Sequence, residues 1–408
     1  MTNYPHLFQL LLFLFFLPVA TGAQTTYYLH PAGSDTNDGL SKSKKHAWQN
    51  LAYAVDQLKG GDILELAPGK YVLDRVVKLT GKEGTAEHPT IIRAAKEWKA
   101  ELIMNNKKGA LWVVDSKHAL IEGLRVYHTT PEDKDRNMTT GLQAWDSDHV
   151  TFRRNYVSDC GCNGISFREG DYFTAEENVS RDNAKNSVWN CSGISVYQPE
   201  QLDDKPGDHI VLRGNVTFEN ECDIPFNVGQ HKHDTPTDGN GIILDDFKNS
   251  QREGYAPFAA DALVENNLSF NNGGAGIKAY ATTGATFRGN KAFGNLRVLR
   301  KYDKVPGEIS VAWSNGKYVV EDNLGAVSYA GQANALEFVG NEKNYALTAA
   351  NNRWLGPLEI KVAKATVDRS GEEESTQTLS AVPEWGKVKS YDKLVRSVNK
   401  WLDGELGR

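Results

Sequence analysis

The sequence predicts an all-β chain that folds as a right-handed parallel β-helix, with a short capping helix at its N-terminal end and a helix in its C-terminal tail. Two recurring units predict this fold. One is a short strand-like segment that ends in asparagine, and the other is a glycine followed by apolar, variable and apolar residues. Both recur at irregular spacings of roughly 23 to 50 residues, which is typical of stacked coils whose loops differ in length.

The N-terminal residues have the pattern of a leader. Leu7–Val19 is almost entirely apolar, and small residues follow it up to Ala23. This pattern predicts a signal peptide over residues 1–23, so we expect a secreted protein, either extracellular or periplasmic. The apolar run is too short to cross a bilayer, and we expect no membrane span.

The segment after the leader predicts the start of the solenoid. Apolar residues at helical spacing predict a helix over Ala47–Leu58, and Ile63–Leu66 predicts a strand that Pro68 and Gly69 turn. Such a helix would cover the open edge of the first coils. We assign residues 24–353 to the β-helix and residues 354–408 to a C-terminal tail or cap. The end of that tail predicts a helix that could cap the last coil.

Two internal ladders follow from aligning the recurring units. Because residues of a strand alternate between its two faces, the first apolar residue after each glycine should point into the core. Stacked coils would place these residues about 4.8 Å apart in one ladder. Its members are Leu142, Ile165, Ile194, Ile242 and Ile277. The recurring asparagines would bond along the turns, and they are Asn155, Asn178, Asn215, Asn267, Asn290, Asn323 and Asn352.

The net charge limits the partners that the chain can bind, and the cysteine positions predict a disulfide. A formal net charge of −6 without clusters gives no attraction for nucleic acid or for an anionic membrane surface, so we expect neither partner. We expect a monomer. Cys162 and Cys191 each lie two residues before the glycine of a repeat unit. Stacking would bring them to adjacent coils and allow a disulfide with Cα atoms about 5.5 Å apart.

The outward positions of the glycine-anchored strand form two rows along the solenoid. The first row is Gln143, Ser166, Ser195, Ile243, Lys278 and Ser310. The second row is Trp145, Arg168, Tyr197, Asp245 and Tyr280, and the next turn carries Asp146, Glu169, Gln198 and Asp246.

These outward rows combine aromatic, cationic and carboxylate side chains on one face. Rings can stack on sugar faces, and arginine pairs with carboxylates in a bidentate manner. The face therefore predicts an acidic polysaccharide substrate, with Trp145, Arg168 and Tyr197 as binding residues. The alternative is a solvated polar face, but exposed aromatic rings are costly without a partner.

A long insertion before one coil adds titratable groups to this face. It carries His231, His233 and Asp238 and leads into Asp245, Asp246 and Lys248. We expect His231 and Lys248 to contribute to substrate binding. Carboxylate oxygens are ligands that calcium prefers, so Asp238, Asp245 and Asp246 are candidate ligands for Ca²⁺. The alternative is a charged surface loop.

The repeat units resemble the parallel β-helix superfamily of pectate lyases over most of residues 25–353. The segment "DGNGIILDD" is similar to the part of family 9 polysaccharide lyases in which Gly-Asn-Gly precedes an apolar residue and the catalytic lysine. Ile243 occupies the lysine position here, and Lys278 holds the equivalent outward position on the next coil. The coil upstream, "CSGISVYQ", supplies no aspartate for the calcium site that the family carries.

The resemblance implies β-elimination on a uronic polysaccharide. In that reaction a base removes the proton at C5 and the glycosidic oxygen leaves. We expect Lys278 to be the base, with Tyr280, Tyr197 or His233 as the acid and a nearby cation to keep the lysine neutral. Two alternatives stay open: a glycoside hydrolase that uses Asp245 with Asp246 or Asp238, and a carbohydrate-binding solenoid without catalysis.

Overall fold

The computed structural model describes residues 24–129, 139–229, 231–302, 306–328, 333–340, 345–362, 367–385 and 388–407. The predicted leader, residues 1–23, lies outside these ranges. Within them the chain forms a right-handed parallel β-helix, as the sequence predicts. Among the described residues no helix is both long enough and apolar enough to cross a membrane.

Each coil contributes strands to three faces. Front and side faces belong to one 21-stranded sheet in the described residues, and the back face is an 11-stranded sheet. Thr140–Arg153 spans the front and side faces in one strand. The other front strands are Val77–Thr80, Gly109–Val114, Ile165–Asp171, Ile194–Tyr197, Ile242–Asp245, Ile277–Tyr280, Gly307–Ala312, Asn334–Gly340 and Leu358–Val362.

The side face begins with the first strand that the structure describes. Its strands are Thr26–Leu29, Ile63–Leu66, Thr90–Ala94, Lys117–Glu122, Phe173–Glu176, Asp208–Arg213, Asp261–Glu265, Gly284–Arg288, Gly316–Glu321, Tyr345–Ala350 and Val367–Ser370. The back strands are Gly69–Leu73, Ala100–Met104, Arg125–His128, Tyr156–Ser158, Val179–Arg181, Val216–Phe218, Leu268–Phe270, Lys291–Phe293, Leu324–Ala326, Arg353–Leu355 and Glu373–Ser375. A small hairpin, Asn227–Val228 with His231–Lys232, and a 3-10 turn, Leu299–Tyr302, lie in loops.

The strand register confirms the predicted internal ladder. Leu142 pairs with Ile165, and the pairing continues through Ile194 and Ile242 to Ile277. All five side chains are fully buried. The apolar ladder therefore fixes which residues of each front strand point outward.

The predicted asparagine ladder is also confirmed. The side-chain oxygen of each asparagine accepts hydrogen bonds from the backbone N–H and the amide of the asparagine one coil earlier, as between Asn155 and Asn178 at 3.0 and 3.1 Å. The series ends at Asn352. A second buried ladder, which the repeat alignment missed, runs through Asn183, Asn220, Asn272 and Asn295 and ends on the carboxylate of Glu308.

Charges of alternating sign follow one outward row of the side face. Adjacent coils pair these residues in register, so each charge except the two at the ends of the row lies between two opposite ones. Ion pairs in this row include Arg93 with Glu65 at 2.9 Å and Arg153 with Glu122 at 2.8 Å. The row is Glu65, Arg93, Glu122, Arg153, Glu176, Arg213, Glu265, Arg288 and Glu321.

The N-terminal helix is shorter than the sequence predicts. It spans Leu51–Gln57, because the side chain of Asn50 accepts a hydrogen bond from the backbone N–H of Tyr53 and caps the helix there. Trp48, which we expected inside the helix, is extended and stacks on Tyr27 with ring centroids 4.7 Å apart. The helix packs its apolar residues into the core of the first coils.

The C-terminal segment differs from the prediction in two ways. The coils continue past residue 353 as far as Ser375, so the expected boundary falls inside the solenoid. The predicted helix forms over Tyr391–Leu406, but it does not cap the last coil. Its apolar side lies along the outer face of the back sheet, where it covers Tyr156, Val216, Phe270 and Phe293 among others. Those apolar side chains would otherwise face water.

The predicted disulfide joins Cys162 and Cys191, with their Cα atoms 5.0 Å apart. This bond connects the loops that precede two adjacent front strands. It therefore supports the side of the front face on which the long insertion lies.

Candidate functional site

The candidate site is a groove on the front face. Strand pairing places Ser195, Ile243 and Lys278 in one outward row and Tyr197, Asp245 and Tyr280 in the other. The register confirms both predicted rows, so these side chains share one face, while their chemical roles remain predictions. The loop before Ile242–Asp245 approaches this face and brings Asp238 to Lys278.

Lys278 lies in the floor of the groove. Its Nζ atom lies 3.3 Å from a carboxylate oxygen of Asp238 and donates to the carbonyl of Thr237 at 3.3 Å. The ammonium group lies 5.3 Å from the ring centroid of Tyr280. Only 12% of the lysine side chain is exposed, so these neighbours control its charge.

The neighbours of Lys278 keep it charged. Burial disfavours the ammonium, but the carboxylates of Asp238, Asp245 and Glu337 outweigh burial and raise the pKa of Lys278. The expectation that a neighbouring cation keeps this lysine neutral is wrong for the ligand-free protein. Arg168 lies three coils away, about 14 Å along the solenoid, so it does not act on Lys278 directly.

Asp245 lies between two tyrosines, because its strand neighbours on either side are Tyr197 and Tyr280. Burial raises its pKa to about 8, Asp238 adds to the rise, and Lys278 opposes it. Asp245 is thus largely protonated at neutral pH. No hydrogen bond to its carboxyl group is found among the residues that the structure describes, which leaves that group available to a ligand.

Both tyrosines stay protonated near neutral pH. Burial raises the pKa of Tyr197 to about 12, and burial also raises the pKa of Tyr280 although Lys278 opposes it. The hydroxyl of Tyr197 donates to Gln251 at 3.2 Å. Tyr280 therefore has the freer hydroxyl, and it is nearer to Lys278.

The N-terminal end of the groove carries the aromatic and cationic residues predicted to bind substrate. The guanidinium of Arg168 lies 4.9 Å from the ring of Trp145 and 5.9 Å from that of Tyr197. Glu169 pairs with Arg168 and accepts a hydrogen bond from the indole of Trp145 at 2.8 Å. The three groups form a rigid surface that can contact both the faces and the carboxylates of sugars.

Asp246 does not belong to the predicted calcium site. It is fully buried and accepts hydrogen bonds from the backbone and hydroxyl of Ser250, from the backbone of Gln251 and from the amide of Gln198. Both of its oxygens are therefore occupied within the turn. Across the described residues no group of three or more histidine, cysteine or carboxylate side chains is placed to hold a metal. The structure therefore removes Asp246 from the predicted ligands, and calcium binding by Asp238 and Asp245 stays a prediction.

Three other predicted residues make no described contact with Lys278. His233 is exposed on the loop after the hairpin, where its ring lies 5.6 Å from Phe226, so its role as acid is not supported. The side chain of His231 lies outside the described part of the chain. Lys248, predicted to bind substrate, donates to the backbone carbonyl of Trp313 at 2.7 Å.

Glu337 is a site residue that the sequence analysis missed. It follows Lys278 and Ser310 in the first outward row and accepts a hydrogen bond from the Ser310 hydroxyl. Burial raises its pKa, and Lys278 opposes that rise. Its segment, "NALEFVG", has the apolar alternation of a front strand but lacks the glycine on which the alignment was anchored.

Comparison with known proteins supports the fold assignment. A family model described as "Right handed beta helix region" matches residues 101–291. The crystal structure of pectate lyase Pel9A is similar over 90% of both chains, with 16% identity and a TM-score of 0.57. Both findings agree with the right-handed parallel β-helix fold.

Two other solved structures are similar at lower scores. The A-module of Azotobacter vinelandii mannuronan C-5 epimerase AlgE6 has 12% identity over 80% of this chain and 93% of its own, with a TM-score of 0.44. A structure titled "Glycoside hydrolase" has 9% identity over 86% of this chain and 96% of its own, with a TM-score of 0.49. No curated protein matches the sequence.

Proposed function

We propose that this protein is a secreted enzyme that cleaves an acidic polysaccharide by β-elimination in the front groove. The observation that carries the proposal is Lys278, a shielded lysine in the groove floor whose ammonium lies 5.3 Å from the ring centroid of Tyr280. The fold shared with pectate lyase Pel9A supports the same class of reaction.

The proposed roles follow from these positions. Neutral Lys278 removes the proton at C5 of a uronate, and Tyr280 donates a proton to the leaving glycosidic oxygen. Arg168, together with Trp145 and Tyr197, holds sugars further along the polysaccharide. Asp238, Asp245 and Glu337 tune the charge of Lys278. Because they raise its pKa, the base is available mainly at alkaline pH.

A panel of uronic polysaccharides tests the proposal. Each polymer is incubated with the wild-type chain, and unsaturated ends are followed by ultraviolet absorbance while reducing ends are counted in parallel. Replacing the base should lower turnover by about a hundredfold or more and leave polymer binding largely intact. The variant is Lys278→Ala, and Lys393→Ala, on the exposed side of the C-terminal helix, is the matched control. Equal numbers of unsaturated and reducing ends support elimination.

Hydrolysis is a second candidate, because Asp245 is protonated at neutral pH beside Asp238. A protonated acid next to a carboxylate is the pair that glycoside hydrolysis needs. This reaction would give reducing ends without ultraviolet absorbance, and Asp245→Asn would abolish it while Lys278→Ala mainly raised KM. A polymer that binds in the groove without any new ends would instead indicate a carbohydrate-binding solenoid.

A further inference from the structure

Trp313 lies in the turn that follows the front strand Gly307–Ala312, directly beyond the coil of Tyr280. Its side chain is 65% exposed, the highest value among the large hydrophobic side chains that the structure describes as exposed. Its indole therefore offers an open aromatic face to a ligand.

The backbone at Trp313 is also unusual for so large a residue. Its φ angle is 55°, which bulky residues adopt rarely. The equivalent turn positions of earlier coils have the same left-handed backbone, but they carry Asp146, Glu169, Gln198, Asp246 and Ala281. Small or polar residues therefore adopt this turn in the earlier coils, so the fold does not require the ring of Trp313.

The turn that carries Trp313 is fixed from several sides. Lys248, two coils earlier along the solenoid, donates from Nζ to the carbonyl of Trp313 at 2.7 Å. The hydroxyl of Ser314 donates to the carbonyl of Ala312 at 2.9 Å and accepts from the backbone of Thr282 at 3.0 Å. An exposed ring on a rigid backbone is suited to present its face to a ligand.

Trp313 and Trp145 lie at opposite ends of the groove. Five coil steps separate their strands, which is about 24 Å along the solenoid. Lys278 lies between them, one coil from Trp313 and four coils from Trp145. A polymer that contacts both rings must therefore extend past Lys278 in both directions.

We propose that Trp313 is a sugar-stacking platform for the residue next to the one at Lys278, so that the polysaccharide is bound on both sides of the cleaved bond and is cut internally. Pyranose rings present a C–H face that packs on an indole, while their hydroxyls remain in water. Lys248 is a positioning residue that holds the turn. The inference rests on the proposed function where it concerns the bond that is cut. The binding of the polymer by Trp313 does not depend on that function.

The test compares Trp313→Ala and Trp313→Phe with the wild-type chain on polygalacturonate. Loss of the ring should raise KM about tenfold, with a much smaller effect on kcat, and phenylalanine should restore most of the loss. Trp189→Ala is the matched control, because Trp189 is 49% exposed and lies outside the front strands. Unchanged KM in Trp313→Ala, or the same rise in Trp189→Ala, would overturn the proposal.

Binding is measured separately, so that the two proposals can fail independently. Retardation of each variant in a polygalacturonate-containing gel needs no catalysis. If the wild-type chain binds but does not cleave, weaker retardation of Trp313→Ala alone still supports the platform, and only the proposed function fails. If cleavage occurs but retardation is equal in all variants, the platform is wrong. Release of only the terminal sugar from the polymer would also contradict internal cleavage.

Discussion

The chemistry of the groove depends on the charge that its carboxylates impose on one lysine. Asp238 lies 3.3 Å from the Nζ atom of Lys278, and Asp245 and Glu337 act at longer range. A base must lose its proton before it can accept one from the substrate. Since these carboxylates stabilise the charged form, they move the activity of Lys278 toward alkaline pH.

Removing one of these carboxylate charges should shift the pH dependence of the activity toward lower pH. In Asp245→Asn the pKa of Lys278 falls, because one carboxylate that stabilises the ammonium is lost. We predict that the alkaline rise of the elimination rate shifts to lower pH, with a few-fold gain above about pH 8, where Asp245 is ionised in the wild-type chain, and little change near neutral pH, where it is protonated. Asp146→Asn, at an exposed turn position on the same face, should leave the profile in place. A complete loss of cleavage in Asp245→Asn would instead identify Asp245 as the acid of a hydrolase.

For single residues, the sequence predicted correctly which side chains point outward, but it did not predict their hydrogen bonds. Glycine anchors and strand alternation predicted the outward positions of Lys278, Asp245 and Tyr280. They gave no information on Asp246, which is adjacent in sequence but has its carboxylate saturated by its own turn. They also did not predict that His233 is exposed beside Phe226 on the loop after the hairpin. Such contacts depend on the path of an insertion, which no repeat constrains.

Among the elements, the alternating charge row of the side face fixes how coils stack. Each inner rung lies between two opposite charges, so a coil that slipped by one residue would lose both pairs that its charge makes. The apolar ladders in the core favour the same strand register. The charge row was visible in the sequence only after the strands had been aligned, because its members are separated by loops of different length.

Reversing one rung tests this role of the charge row. Arg213 lies between Glu176 and Glu265 and is 3.3 Å from Glu265. Because the arginine is 44% exposed, each contact is worth little, and Arg213→Gln should lower the free energy of unfolding by less than about 1 kcal/mol. Arg213→Glu adds two like-charge contacts and should cost about 1–2 kcal/mol more at low salt.

The measurement is denaturant unfolding at low and high ionic strength. Salt screens exposed charges, so the difference between Arg213→Glu and Arg213→Gln should shrink as salt is added. Equal stability of the two variants at low salt would show that the row does not contribute to register.

The C-terminal helix shows how sequence can predict an element but not its partner. Its period of apolar residues predicted Tyr391–Leu406 well, whereas its position required knowledge of the back sheet. Outward phenylalanines on successive back strands, such as Phe218, Phe270 and Phe293, form an apolar strip. A helix of this length is about 24 Å long and can cover about five coils. The helix therefore covers the strip and leaves the front groove open.

For the whole molecule, the solenoid gives the groove its length and its direction. Coil stacking repeats the same outward positions along one axis, so a polymer that follows the axis meets one new set of side chains per coil. The two tryptophans, Trp145 and Trp313, lie toward the two ends, and Lys278 lies between them. This arrangement suits a long chain more than a small ligand.

The pH dependence of the product tests the central claim most directly. Initial rates of unsaturated-end formation and of reducing-end formation are measured together from about pH 6 to about pH 10, a range that spans the pKa of Asp245 and lies below the raised pKa of Lys278, so that the neutral fraction of the lysine grows with each pH unit. If Lys278 is the base, both rates rise together with pH and both disappear in Lys278→Ala. Reducing ends that form without ultraviolet absorbance, at a rate that falls above the pKa of Asp245 at about 8, would contradict elimination.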